Sequence, residues 1–215
     1  YMRELLKALD SLHNNYGITH RDIKPDNFVH HFQTNTFRLI DFGSAVYMRQ
    51  NNGIGLENAG TRGFKAPELL QPSYGESAKG FKRHPSIDIW SAGIIFMSLL
   101  TGQKDILSRN DEMATVDCNA KHLKEIGNIV GKNNMKHVNA TDWSIYGDGC
   151  KEGGKTGWAA KALQLCKRPW TPSDEALDLL SKMLNVCPRQ RITSDAALKH
   201  PFLLNDDDAN VFDQT

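Results

Sequence analysis

The sequence has few cysteines, and the four it has, Cys118, Cys150, Cys166 and Cys187, include no C-x-x-C pair. Scattered thiols in a chain of this length exclude a disulfide framework and are expected to stay reduced, inside a cell. An excess of charge of one sign is also missing. Lys and Arg number 26 against 25 Asp and Glu, and the net charge of +1 points to neither a nucleic-acid partner nor a membrane surface. Long apolar runs are absent too. The strongest, Ile94 to Leu100, falls far short of the ~20 residues that span a bilayer and reads as a buried helix. No internal repeat is visible. Cys118 and His122 share helical i, i+4 spacing and could share a metal, yet no second ligand pair accompanies them. Asn139-Ala140-Thr141 is a glycosylation sequon by pattern only.

What remains is an ordinary globular composition, 40% apolar and 24% charged, long enough to bury a sizeable core. Leu5, Leu6, Leu9 and Leu12 predict an amphipathic helix over residues 1–13, stopped by Asn14, Asn15 and Gly17. Phe28 to Phe32 and Phe37 to Ile40 flank Gln33-Thr34-Asn35-Thr36 and predict a hairpin. Residues 44–65 carry no apolar periodicity and read as a long functional loop. Helices are predicted for 85–102, closed by Gly102, for 120–130, and from Pro172 to Leu184. Another is capped by Thr193 and ends near His200. The stretch 131–160 is polar and glycine-rich and reads as a surface insert, and 204–215 as an acidic tail expected to fray.

Between these elements lies His20-Arg21-Asp22-Ile23-Lys24-Pro25-Asp26-Asn27, an acid, a cation and an amide on a segment that Pro25 keeps from being helical. Asp41-Phe42-Gly43 begins fourteen residues after Asn27, and Ala66-Pro67-Glu68 begins twenty-five after Asp41. In this order the three resemble the catalytic loop, the metal-binding turn and the end of the activation segment of eukaryotic protein kinases. The resemblance covers residues 1–203 and implies an α+β, protein-kinase-like fold. The part present would be the mostly helical C-terminal lobe with a short β-hairpin at the active site.

By position, Asp22 would orient the acceptor hydroxyl and take its proton, and Lys24 would reach the transferred phosphate of ATP. Asn27 and Asp41 would hold Mg2+, a cation that prefers oxygen ligands. Phe42 would pack against the core. Ile23-Lys24-Pro25 and the Gly60-Thr61 pair, with Thr61 bonding Asp22 and Lys24, imply serine/threonine acceptors. Glu68 would pair with Arg191, for which Arg189 competes, and Asp88 and Trp90 would anchor the catalytic loop.

Arg21 resembles the arginine that clamps a phosphorylated activation segment, yet from Met48 to Gly60 there is no Ser, Thr or Tyr. Glu57, the one acid there, is expected to substitute for the phosphate unless a partner protein orders the loop. Arg62 and Lys65 would read an acidic or phosphorylated residue following the acceptor.

Asp41 to Ala45, Gly60 to Glu68 and Ile87 to Gly93 are most similar to the cell-division-cycle kinases that fire replication origins. That resemblance implies a nuclear enzyme, otherwise a cytoplasmic one, with a Dbf-type regulatory subunit and acidic-flanked serines of the minichromosome-maintenance helicase as substrates. The short activation segment, 24 residues between Gly43 and Glu68, departs from that family, as does the Gly102-Gln103-Lys104-Asp105 sequence.

No Gly-rich loop or ATP-pairing lysine of an N-terminal lobe occurs in the 215 residues. The chain, opening at Tyr1 within a helical pattern, therefore reads as part of something longer and as inactive alone. Two alternatives stand beside this reading. One is a non-catalytic kinase-lobe binding module, and the other a casein-kinase-like or proline-directed serine/threonine kinase.

Overall fold

The computed structural model of the protein describes residues 1–49, 59–70, 84–107, 116–130 and 155–204. Glu57, most of the polar insert and the acidic tail lie outside these residues. Helix α1 (Met2–Asp10) buries Met2, Leu5, Leu6 and Leu9, a stripe with the spacing of one helical face. It runs into a π-helical turn, Ser11–Asn15, that ends at Gly17 with φ 64°. Strand β1 (Ile18–Thr19) leads into the His20–Asn27 segment, whose last three residues, Pro25–Asn27, form a 3-10 turn.

Strands β2 (Phe28–His31) and β3 (Thr36–Leu39) form the expected antiparallel hairpin, Phe28 opposite Leu39 and His31 opposite Thr36. Its loop is Phe32 to Asn35, one residue earlier than the sequence suggested. Asn35 takes the left-handed turn position at φ 48°, which asparagine tolerates, and this releases Thr36 to pair. Strand β4 (Val46–Tyr47) pairs with β1, Ile18 opposite Tyr47 and Thr19 opposite Val46. Two-residue strands leave no periodic signal, so this ladder is not legible in the sequence.

Helix α2 (Ser86–Thr101) is the axis of the core. Every residue from Ser86 to Met97 is buried, as expected of a helix apolar on all sides. It closes at Gly102, whose φ of 72° favours glycine. Helices α3 (Val116–Val130), α4 (Lys155–Leu165), α5 (Asp174–Met183), α6 (Ser194–Leu198) and α7 (Pro201–Leu204) complete the described fold. Helices α1, α4 and α5 all contact α2. Ser173 and Thr193 cap α5 and α6 through their side-chain oxygens.

Helix α4 corrects one expectation. Residues 155–160, taken as the end of the polar insert, are helical, and Trp158 and Ala162 are buried. Trp158 meets Trp90 of α2 edge-on at 5.6 Å, and Gly157 lets α4 approach the Ile129 carbonyl of α3, where a Cβ would stand 2.4 Å away. A single tryptophan and a close backbone contact anchor this helix. Neither produces a stripe of apolar residues.

Candidate active site

The catalytic-loop segment is held from below by one carboxylate. Asp88, fully buried in the first turn of α2, accepts from the backbone N–H of His20 at 2.8 Å and of Arg21 at 2.8 Å. Its Oδ2 also meets His13 Nε2 at 2.9 Å, and His13 reaches it from the π-helical turn after α1. An extra residue in a helical turn re-aims the side chains that follow it, and such turns recur at functional sites. Trp90, expected to share the anchoring, does not. Its indole nitrogen has no hydrogen-bond partner among the described residues, and its ring lies under the Arg191 guanidinium at 5.0 Å.

Arg21 adopts φ 71°, a left-handed angle unusual for a side-chain-bearing residue, and Asp88 supplies a bond that holds it there. The turn projects Asp22 toward Thr61, thirty-nine residues later. Asp22 Oδ1 accepts from the Thr61 hydroxyl at 2.7 Å and from the Thr61 N–H at 2.8 Å. Lys24 Nζ lies 3.0 Å from Thr61 Oγ1 and 3.0 Å from Asp22 Oδ2. Asn27 Nδ2 donates to the Asp22 carbonyl at 2.9 Å and to Oδ2 at 3.2 Å. Burial pushes the Asp22 carboxyl up, but the Thr61 hydroxyl, Lys24 and the Thr61 N–H outweigh it. The group therefore titrates below the usual carboxylate range.

Gly60 makes the approach of Thr61 possible. Its φ is 91°, and a Cβ there would stand 2.7 Å from the Arg21 carbonyl. Gly63, at φ 84°, turns the chain again. Buried Phe64 is fixed by Ser91 of α2, whose hydroxyl donates to the Phe64 carbonyl at 2.8 Å. Asp22, Thr61, Phe64, Lys65 and Ile87 line a small concavity at this point. Lys65 is partly buried there. Burial first, then Arg62 and Arg21, lower its pKa against the opposing pull of Asp22.

Asp41 sits at φ 61° at the head of a short turn, Phe42–Ser44, and its Oδ1 accepts from Gly43 N–H at 3.2 Å. His20 ties this turn to the loop. Its Nδ1 accepts from the Asp22 N–H at 3.3 Å, so its Nε2–H is left to donate to the Ile40 carbonyl at 3.1 Å. Asn27 and Asp41 sit at the two ends of the β2–β3 hairpin segment, before its first strand and after its second. The Asn27 amide nitrogen is engaged with Asp22, which frees its oxygen, and Asp41 offers an exposed carboxylate. Two oxygen donors of this kind suit a hard cation such as Mg2+. Phe42 does not pack into the core as expected. It is 48% exposed and rests edge-on against His20 at 5.0 Å.

Glu68 and Arg191 meet as a two-pronged pair, Nη1 to Oε1 at 2.7 Å and Nη2 to Oε2 at 3.0 Å, both side chains buried. Arg191 also donates to the carbonyls of Ser86 at 2.8 Å and Asn185 at 2.9 Å. Of the two candidate arginines, Arg191 is the one that forms this two-pronged pair. Glu57, the expected counterpart of Arg21, lies outside the described residues. His122 is buried, the side chain of Cys118 is outside the description, and no metal-ligating cluster of three groups occurs among the described residues. Sequence reasoning missed His13 and the bridging role of His20. A histidine near the end of an amphipathic helix carries no signal of what it will face.

A profile of the protein kinase domain matches residues 1–203. The chain is 28% identical to the probable cell division control protein 7 homolog 2 of Encephalitozoon cuniculi, covering 94% of this chain and 64% of that protein. It is 31% identical to cyclin-dependent kinase 7 of Dictyostelium discoideum, over 94% of this chain and 49% of that one. The phosphorylase b kinase gamma catalytic chain of Bos taurus, liver/testis isoform, is 29% identical over 94% of this chain and 39% of its own. The chain thus spans less than two thirds of the length of each of these relatives. No described helix is long and apolar enough to cross a membrane.

Proposed function

Since this chain belongs to the protein kinase domain family, we propose that it is the phosphoacceptor-side lobe of a serine/threonine kinase that transfers the γ-phosphate of ATP to protein hydroxyls. The observation that carries this reading is the Thr61 hydroxyl seated between Asp22 and Lys24, at 2.7 and 3.0 Å. Asp22, kept ionised by those contacts, orients the acceptor O–H and takes its proton as the oxygen bonds to phosphorus and the bridging oxygen leaves with ADP. Lys24 sets a positive charge beside the transferred phosphoryl group. Asn27 and Asp41 would hold Mg2+, which would supply charge neutralisation on the phosphates.

Residues 1–203 form the kinase lobe, with the insert cut back to about 131–154 and the tail 204–215 appended. Ile40 and Phe42, exposed apolar side chains on either side of Asp41 in the chain, support a covering partner there. Arg62 and Lys65 read an acid or phosphate after the acceptor, and Glu57 or a regulatory subunit takes over the ordering role of an activation-segment phosphate. Similarity to the cell division control protein 7 homolog favours a replication-initiation kinase working in the nucleus with a Dbf-type subunit. Similarity to cyclin-dependent kinase 7 keeps a proline-directed enzyme as the second reading.

The deciding experiment measures phosphate transfer from labelled ATP by the full-length protein to peptides with Asp, phosphoserine, Pro or Ala after the acceptor. Transfer to serine and threonine, lost in Asp22→Asn, is expected, with Asp or phosphoserine preferred over Pro. No transfer by the full-length wild type would make the lobe a non-catalytic binding module.

A further inference from the structure

Asp10 has no place in the phosphotransfer steps, yet it joins two parts of the fold that are far apart in sequence. It ends α1, and one oxygen, Oδ1, accepts from Asn14 Nδ2 at 2.7 Å and from Ser194 Oγ at 3.0 Å. Ser194 is buried and opens α6, 184 residues later.

The two bonds converge on the π-helical turn Ser11–Asn15. A π turn takes one more residue than an α turn and is seldom stable on its own, so side chains must fix where the widening falls. Two side-chain bridges span this one, Asp10 to Asn14 and Ser11 to Asn15, the second at 3.4 Å. His13 lies within the bridged segment, is buried, and reaches Asp88 at 2.9 Å. Asp88 in turn holds the N–H groups of His20 and Arg21. The series from Ser194 through Asp10, the turn, His13 and Asp88 to the loop backbone is unbroken. The other end of α1 is fastened separately, by Arg3 donating to the Leu203 carbonyl. The Asp10 contact is the one at the His13 end.

We propose that Asp10 and Ser194 are positioning residues. Through them α6 fixes the π-helical turn that aims His13 at Asp88, and thereby the placement of Asp22. Both act through His13. The inference rests on the reading of Asp22 as the group that orients the acceptor hydroxyl.

The test measures kcat and KM of the full-length protein with ATP and a serine peptide, and hydrogen exchange at the His20 and Arg21 amides. Asp10→Ala and Ser194→Ala should each lower kcat roughly three- to tenfold, the worth of one hydrogen bond, with KM unchanged, and should speed exchange of both amides. Asp10→Asn keeps an oxygen acceptor and should recover most of kcat. Arg3→Met, at the far end of α1, should leave kcat as in wild type. Once His13→Ala has cut the path, adding Asp10→Ala should lower kcat no further. Ser194→Ala removes only a hydroxyl and carries the decision if Asp10→Ala fails to fold. Unchanged kcat and exchange in the folded variants, an equal loss in Arg3→Met, or an Asp10→Ala effect that persists without His13 would overturn the proposal. No transfer by wild type would overturn the reading of Asp22, and amide exchange would still decide the role of Asp10.

Discussion

His13 and Asp88 meet at 2.9 Å across seventy-five residues of sequence, and both side chains are almost wholly buried. The contact joins the end of α1 to the first turn of α2, and through Asp88 it reaches the backbone of His20 and Arg21. The candidate catalytic loop is therefore positioned by a carboxylate that is itself positioned by an imidazole.

Replacing His13 by Ala removes one donor from a buried carboxylate. Urea denaturation should show a loss of about 1–3 kcal/mol. In the protein that remains folded, kcat should fall because Asp88 no longer fixes the Arg21 turn, and His13→Gln should recover part of both. Unchanged kcat in folded His13→Ala would show that Asp88 holds the loop unaided.

Glu68 and Arg191 present the buried-pair case. Glu68→Ala strands the Arg191 guanidinium among the carbonyls of Ser86 and Asn185 and should cost about 3–5 kcal/mol in chemical denaturation. The double variant Glu68→Leu/Arg191→Met should be far less destabilised than the two single changes added together. Additive losses would mean that the pair is not coupled.

Thr61 sets the acid limb of the pH profile. Asp22 titrates below the usual carboxylate range because the Thr61 and Lys24 contacts outweigh its burial. Its ionised form persists as pH falls, until that lowered pKa is reached. Thr61→Val removes one of those bonds, so the acid limb of kcat/KM should move to higher pH, while Thr61→Ser should keep it in place. A limb that does not move in Thr61→Val would separate Thr61 from the ionisation of Asp22.

His122 predicts a pH dependence of stability. Its folded pKa of about 4 lies below its ordinary 6.5, so folding favours the neutral ring. Its contribution is complete above pH 6.5 and is lost as pH falls toward 4, by at most about 3 kcal/mol over that span. His122→Gln should flatten this part of the stability curve. An equal slope in both proteins between pH 6.5 and 4 would refute the assignment.

Local patterns and their order along the chain determined much of this protein. The stripe of α1, the uninterrupted apolar course of α2, the caps at Ser173 and Thr193 and the hairpin all follow from spacing and from turn residues, which act over a few neighbours. The ordered segments around Asp22, Asp41 and Glu68 also singled out Arg191 as the partner of Glu68. Tertiary structure decided what depends on which distant group arrives. It brought His13 under Asp88, turned Trp90 toward Arg191 and Trp158 instead of the loop, made a helix of 155–165 around one tryptophan, and left Phe42 exposed against His20. It also enclosed His122 with no hydrogen-bond partner among the described residues. The difference is physical, because helix periodicity and capping are written in adjacent residues. The partner of a buried imidazole or carboxylate is set by the packing of elements that no short stretch of sequence contains.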